Sequence, residues 1–204
     1  MDKEKQILNE AEQLFKKYGF KSITMDDVSR HLGISKKTLY KYVENKADLI
    51  EKIMHNHNEN EKELINQINA NSTDAIDELF NIAIMVRQQL KEISPAAIYD
   101  LRKHYKRIFD MVISMHQEYI YDCIKNNLER GIESGLYRAD LNVDIIARLY
   151  MAQTLGLIVD SNFPSDKYKK EKVYSEFINY HFHAITSKKG AAILNKKLNK
   201  IPLG

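Results

Sequence analysis

The segment GISKKTLYKYVENKADLI, residues 33–50, sets Lys36, Lys37, Tyr40, Lys41 and Tyr42 among aliphatic side chains. Ammonium groups reach phosphate oxygens, hydroxyls donate to phosphates and base edges, and phenol rings pack on sugars. A mixture of these side chains on one surface therefore suits a nucleic acid. At about 100° per residue in a helix, Leu39 and Val43 turn inward and Lys37 and Lys41 lie opposite them. Thr38 and Tyr40 occupy the flanks, and Lys36 sits in the first turn. Taken alone, such a helix reads better as a solvated lysine face on a core element. The element in front of it separates the two readings.

Thr24 is an N-cap with Asp27 at the capping-box position, and Ile23 and Val28 form a hydrophobic staple, so a helix runs from about Met25 to Leu32. Gly33 supplies the left-handed residue that ends it, and Ile34, Ser35 and Leu39 repeat the staple-and-cap arrangement at once. Two short helices joined by a glycine turn are the signature of a helix-turn-helix, here spanning about residues 24–43. Upstream, Ile7, Leu8, Ala11, Leu14, Phe15 and Tyr18 form one stripe of a first helix that stops at Gly19. A capped helix directly before the Lys/Tyr face moves the reading to DNA.

The 204 residues are 44% hydrophobic, with seven Gly and three Pro, and long stretches of Leu, Ile, Glu, Lys, Asn and Ala. This composition suits an all-α chain with a sizeable core. Cys123 is the single cysteine, which rules out an intramolecular disulfide or a cysteine-based zinc site and fits a reducing compartment. The N-terminus has no apolar run of signal type, so a cytoplasmic location is expected. Residues 1–46 carry ten Lys/Arg against seven Asp/Glu, residues 188–204 five Lys and no acid, and residues 47–187 therefore a net −5. Basic ends on an acidic body fit a polyanion contact at one site, although solvated surfaces also show mild asymmetry of this kind.

No GxGxxG, Walker loop, GxSxG or HExxH is present, so no enzyme and no cofactor are expected. His55 with His57, and His181 with His183, diverge by about 200° on a helix, which is the wrong geometry for sharing a metal. Residues 46 to about 70 read as one long helix, 73–92 as a core-facing helix, and Ser94-Pro95 as a cap with proline at the first position of a helix through about His104. A long helix follows from about Tyr105 to Ser134, and Asn142 caps the next. Its run IIARLYMAQTLGLIV is apolar almost all round but shorter than the roughly 20 residues a membrane span needs. No membrane partner is expected. The last strong helix, about Lys169 to Ser187, follows the loop at residues 160–166. The basic end, SKKGAAILNKKLNKIPLG, reads as a frayed, solvated terminus.

Residues 7–50 together, ILNEAEQLFKKYGFKSITMDDVSRHLGISKKTLYKYVENKADLI, resemble the N-terminal module of the TetR family of bacterial transcriptional regulators. Ala11, Leu14, Phe15, Gly19, Phe20, Thr24, Val28, Gly33, Ser35, Thr38, Leu39, Tyr40 and Lys46 stand where that pattern has such residues. Ser29, Lys37 and Val43 replace the usual Ala, Gly or Pro, and Phe. The resemblance implies a three-helix DNA-binding domain at residues 1–46, a helical effector-binding and dimerisation domain at 47–204, and about nine helices in all. It implies a homodimer on a pseudo-palindromic double-stranded operator, acting as a ligand-responsive repressor.

By the same resemblance, Thr24 and Lys46 hold phosphates, Tyr40 and Tyr42 touch the backbone, and Lys36, Lys37, Thr38 and Lys41 face the groove floor. Leu157, Phe177, Tyr180 and His181 fall on the pair of helices that forms the dimeric bundle. Tyr99, His104, Met115, Tyr119, Tyr150 and Thr154 fall on helices that surround a small apolar or aromatic effector, although Met and Tyr at helical spacing also make plain core. Two alternatives stand beside this reading: a DNA-binding regulator without an effector, and an all-α carrier or enzyme with a vestigial module.

Overall fold

The computed structural model describes residues 3–159, 163–164 and 166–200. Of the loop at 160–166, residues 160–162 and 165 lie outside the described residues, as do 201–204 of the basic end. The chain is all-α. Its helices are α1 (Lys3–Tyr18), α2 (Met25–His31), α3 (Lys36–Leu39), α4 (Lys46–Asn71), α5 (Ala75–Glu92), α6 (Pro95–His104), α7 (Lys106–Glu133), α8 (Val143–Val159), α9 (Lys170–Ile185) and α10 (Lys188–Lys200). Among the described residues extended pairing is limited to an isolated antiparallel bridge between Tyr137 and Thr186.

Two compact units divide the chain: Met1–Leu64 with Glu92–Met115, and Ile65–Lys91 with His116–Gly204. In the first, the stripe expected on α1 buries Ile7, Leu8, Ala11 and Phe15, with Leu14 half-buried and Tyr18 51% exposed. It meets Val28, Leu39, Val43, Leu49, Ile50 and Ile53, together with Ala97, Leu101 and Ile108 from α6 and α7. Phe15 stacks on Phe20 at 5.1 Å, and Tyr105 meets Phe20 edge-on at 6.4 Å. Polar links tie α6 to the same place: Ser94 N–H donates to Lys16 C=O at 3.1 Å, and Lys21 N–H donates to Asp100 Oδ2 at 2.8 Å. The helix-turn-helix thus rests on a hydrophobic floor that reaches well beyond residue 46.

The second unit packs Ile76, Leu79 and Phe80 of α5 with Ile124 and Leu128 of α7, Ala147 and Tyr150 of α8, and Ile178, Phe182 and Ile185 of α9. The expected caps form: the Ser94 hydroxyl accepts from Ala97 N–H at 3.2 Å, and Asn142 Oδ1 accepts from Ile145 N–H at 3.1 Å. The apolar run of α8 is not covered all round by its own chain, since Ile145 and Leu149 are 51% and 53% exposed.

Two expectations are corrected here. The basic end is not frayed through residue 200 but forms α10. Leu194 of α10 is buried, Ile193 and Leu198 pack against the second core, and Lys197 pairs with Asp77. Gly190 makes this docking possible, because a Cβ there would sit 2.0 Å from the Leu136 carbonyl oxygen. The helix α3 also closes at Leu39, short of residue 43, where the helix-turn-helix was expected to end. After Leu39 the chain continues through i→i−3 bonds, Lys41 N–H to Thr38 C=O and Tyr42 N–H to Leu39 C=O. Asn45, whose Oδ1 accepts from Asp48 N–H at 3.0 Å, starts α4 at once, and Lys52 Nζ holds the Tyr42 carbonyl at 2.5 Å.

Candidate nucleic-acid interface

The turn between α2 and α3 is locked by local chemistry. Ile34 N–H donates to Ser29 C=O and Gly33 N–H to Arg30 C=O, a Schellman closure that needs the positive φ of 64° Gly33 adopts. Ser29, where alanine is usual, is buried and satisfies its hydroxyl by donating to the Asp26 carbonyl at 3.0 Å. Ser35 then caps α3 by accepting from Thr38 N–H at 3.0 Å, with the two hydroxyls 2.8 Å apart. Leu39 and Val43 are buried beneath, so Lys37, Tyr40 and Lys41 stay exposed above. Tyr42 is half-buried against the first core.

Acidic neighbours modulate this basic face. Lys36 Nζ lies 2.7 Å from Asp26 Oδ1, and that partner holds its ammonium pKa above the ordinary value. Thr24 gives both of its donors to Asp27, the backbone N–H at 3.0 Å and the hydroxyl at 2.6 Å, and these bonds pull the Asp27 carboxyl below its usual range. A phosphate at the start of α2 therefore competes with an internal carboxylate. Lys46 opens α4, and burial lowers its pKa against the opposing pull of Asp100 and Asp27. Its Nζ reaches the Lys21 carbonyl at 3.3 Å and lies 6.0 Å from the Phe15 ring.

Lys21 is exposed in the same loop and adds a cation beside Thr24 that the sequence reading passed over. A lysine just before a capped helix was the available signal. Asp100, whose carboxylate holds that loop from 79 residues away, left none.

The other expected sites fall as follows. In the first unit Tyr99 is 56% exposed and its hydroxyl accepts from Lys103 at 2.6 Å, His104 is exposed and Met115 is half-buried. In the second unit Tyr119 is half-buried, whereas Tyr150 and Thr154 are buried side by side on α8. Leu157 and Phe177 pack partly against the second core, Tyr180 is 75% exposed, and His181 is buried. Among the described residues no three His, Cys, Asp or Glu side chains gather as metal ligands, and no helix is long and apolar enough to cross a membrane.

A turn-locked helix pair that presents lysines and a tyrosine outward over a buried hydrophobic core defines a DNA-binding regulator of the helix-turn-helix class. Residues 7–53 match the family described as bacterial regulatory proteins, tetR family. It is similar to the uncharacterized HTH-type transcriptional regulator YvaF of Bacillus subtilis (strain 168), at 24% identity over 193 residues, covering 90% of this chain and 96% of the relative. The HTH-type transcriptional repressor KstR2 of Mycolicibacterium smegmatis is 22% identical over 190 residues, 91% of each chain. The crystal structure of a transcriptional regulator from Cytophaga hutchinsonii shares the fold at a TM-score of 0.70 and 17% identity, over 89% of this chain and 97% of that one.

Proposed function

We propose that this regulator is a cytoplasmic, ligand-responsive repressor without catalytic activity, which binds a pseudo-palindromic operator as a homodimer. The observation that carries the DNA contact is the exposed set Lys37, Tyr40 and Lys41 above a helix pair fixed by its own caps. Residues 1–46 supply that contact, with Thr24 and Lys46 as phosphate anchors, Tyr40 and Tyr42 on the backbone, and Lys36, Lys37, Thr38 and Lys41 toward the bases. Residues 47–204 supply dimerisation and effector binding. The name repressor carried by KstR2 supports the sign of the regulation.

Dimerisation is supported by the uncovered apolar surface of α8 and α9, where Ile145, Leu149 and Tyr180 are exposed beside Leu157 and Phe177. A small apolar or aromatic effector is supported by the aromatic content of the second unit, where Tyr150 and Thr154 are buried on α8 and Tyr119 is half-buried on α7. Such an effector acts only by binding one state of the dimer more tightly than the other.

The test is selection of bound duplexes from a random pool by the purified protein. Recovery of an inverted repeat, lost from the Lys37→Ala and Lys41→Ala double variant, is the expected outcome. Recovery of no preferred sequence by the wild-type chain removes the reading.

A further inference from the structure

The second unit contains an unusual polar spot inside its aromatic core. Thr154 Oγ1 and His181 Nε2 are both buried, and both lack a hydrogen-bond partner among the described residues. They face the same neighbour. The His181 ring meets Tyr150 edge-on with centroids 4.9 Å apart, and Thr154 lies close enough to act on the Tyr150 hydroxyl. That hydroxyl stands 3.4 Å from the Tyr174 hydroxyl, the far limit of a hydrogen bond. Phe177 closes the group, 5.5 Å from Tyr150 and 6.0 Å from His181. Natural interiors seldom leave buried polar atoms unpaired, because each such atom forfeits its water without recompense.

We propose that Thr154, His181 and Tyr150 form the polar end of the effector site and receive the one uncharged oxygen, carbonyl or hydroxyl, of an otherwise apolar molecule. The inference rests on the effector reading above and names the ligand class it takes. Three donor groups lie around Tyr150: the Thr154 hydroxyl, the Tyr150 hydroxyl itself and the His181 imidazole, whose Nε2 carries the proton in one neutral tautomer. The charge balance then selects the ligand. Burial holds the imidazole pKa down, from an ordinary 6.5 to about 4, and holds the Tyr150 phenol up, so both are neutral at physiological pH. The side chains acting on the Tyr150 hydroxyl are Tyr174, Thr154 and Cys123, with no Lys, Arg, Asp or Glu among them, and burial is what holds the His181 pKa down. A carboxylate or an ammonium entering this spot meets no counter-charge and loses its hydration, whereas a ketone, lactone or alcohol oxygen replaces its lost water with the three donors. The aromatic walls accept the apolar remainder.

The test uses the 204-residue protein with matched probes: decan-2-one, δ-decalactone and decan-1-ol against decanoate and decylammonium. Each is titrated by displacement of N-phenyl-1-naphthylamine and by thermal shift, in wild type, Thr154→Val and His181→Phe. Neutral probes are expected to bind wild type at least tenfold more tightly than the charged pair, and each variant is expected to lose about tenfold for the neutral probes. Thr154→Val supplies the structural control, because an apolar isostere of an unpaired hydroxyl leaves the ligand-free melting temperature unchanged or raised. Equal or tighter binding of the charged probes, affinities unchanged in both variants, or no binding by any probe each overturns the proposal. Operator release is measured separately. Neutral binding without release leaves this site standing and removes the effector reading, while release by a ligand indifferent to both variants does the reverse.

Discussion

A lysine that holds a phosphate and a lysine that reads a base differ in what their loss does, and the proposed anchor Lys46 and readers Lys37 and Lys41 are separable on that ground. Lys46→Ala is expected to weaken binding to every duplex alike and to lower the slope of log affinity against log salt by about one. Lys37→Ala or Lys41→Ala is expected to cost about 1 to 3 kcal/mol and to relax preference at one base position. Site selection combined with salt titration checks both, and a selection profile unchanged in the two reader variants would sink the assignment. His181 gives a prediction of another kind. Its pKa is about 4 in the folded chain against an ordinary 6.5, so the unfolded chain takes up the proton first as pH falls. The stability contributed by the neutral ring is fully present above pH 6.5 and is lost progressively toward pH 4, about 3 kcal/mol in all. Melting temperatures of wild type and His181→Phe should therefore converge or cross as pH is lowered from 7 to 4, and parallel curves would refute the shift.

At the scale of the helices, α10 is the element most open to a single change. Gly190→Ala places a Cβ 2.0 Å from the backbone oxygen of Leu136, a contact that no rotamer relieves. The helix is then expected to undock, exposing Leu194 and breaking the Lys197–Asp77 pair. Leu194→Ala is expected to cost about 2 to 5 kcal/mol by cavity formation alone. Urea unfolding with amide exchange on α10 distinguishes undocking from a cavity, because only the first removes protection along the whole helix. The same element shows where sequence reading stops. Helices bounded by local chemistry were legible: Thr24 with Asp27, Gly33, Ser94-Pro95 and Asn142 all mark ends that the structure has within a residue or two. The docking of α10 depends on Leu136, far away in the chain, and its Ala191, Leu194 and Leu198 stripe is masked by five lysines. The length of α3 was hidden for a similar reason, since the start of α4 at Asn45 and the Lys52 ammonium on Tyr42 decide it. The exposure of Lys37 and Lys41 was readable from a helical wheel, but the carboxylates that engage Lys36, Thr24 and the Lys21 loop had to be seen in place.

For the molecule as a whole, the proposed operator recognition stands or falls with assembly. Two half-sites lie about 10 base pairs apart or a multiple of that, and one recognition helix in one major groove has neither the affinity nor the register of a pair. The chain leaves Ile145 and Leu149 of α8 and Tyr180 of α9 largely exposed, an apolar surface that water penalises and a second copy would cover. The choice of variant matters. Leu157 and Phe177 also pack against the second core, so a charge at either confounds dissociation with unfolding. Leu149 is 53% exposed, and a glutamate there disturbs little within its own chain. Leu149→Glu is accordingly expected to sediment as a monomer at micromolar concentration, to keep the helical circular dichroism of wild type, and to lose operator affinity by two orders of magnitude or more. Phe177→Glu is expected to lose helicity as well. The wild-type chain sedimenting as a monomer under the same conditions, or Leu149→Glu binding its operator unchanged, would remove the dimer from the mechanism and leave the α8 face to some other occupant.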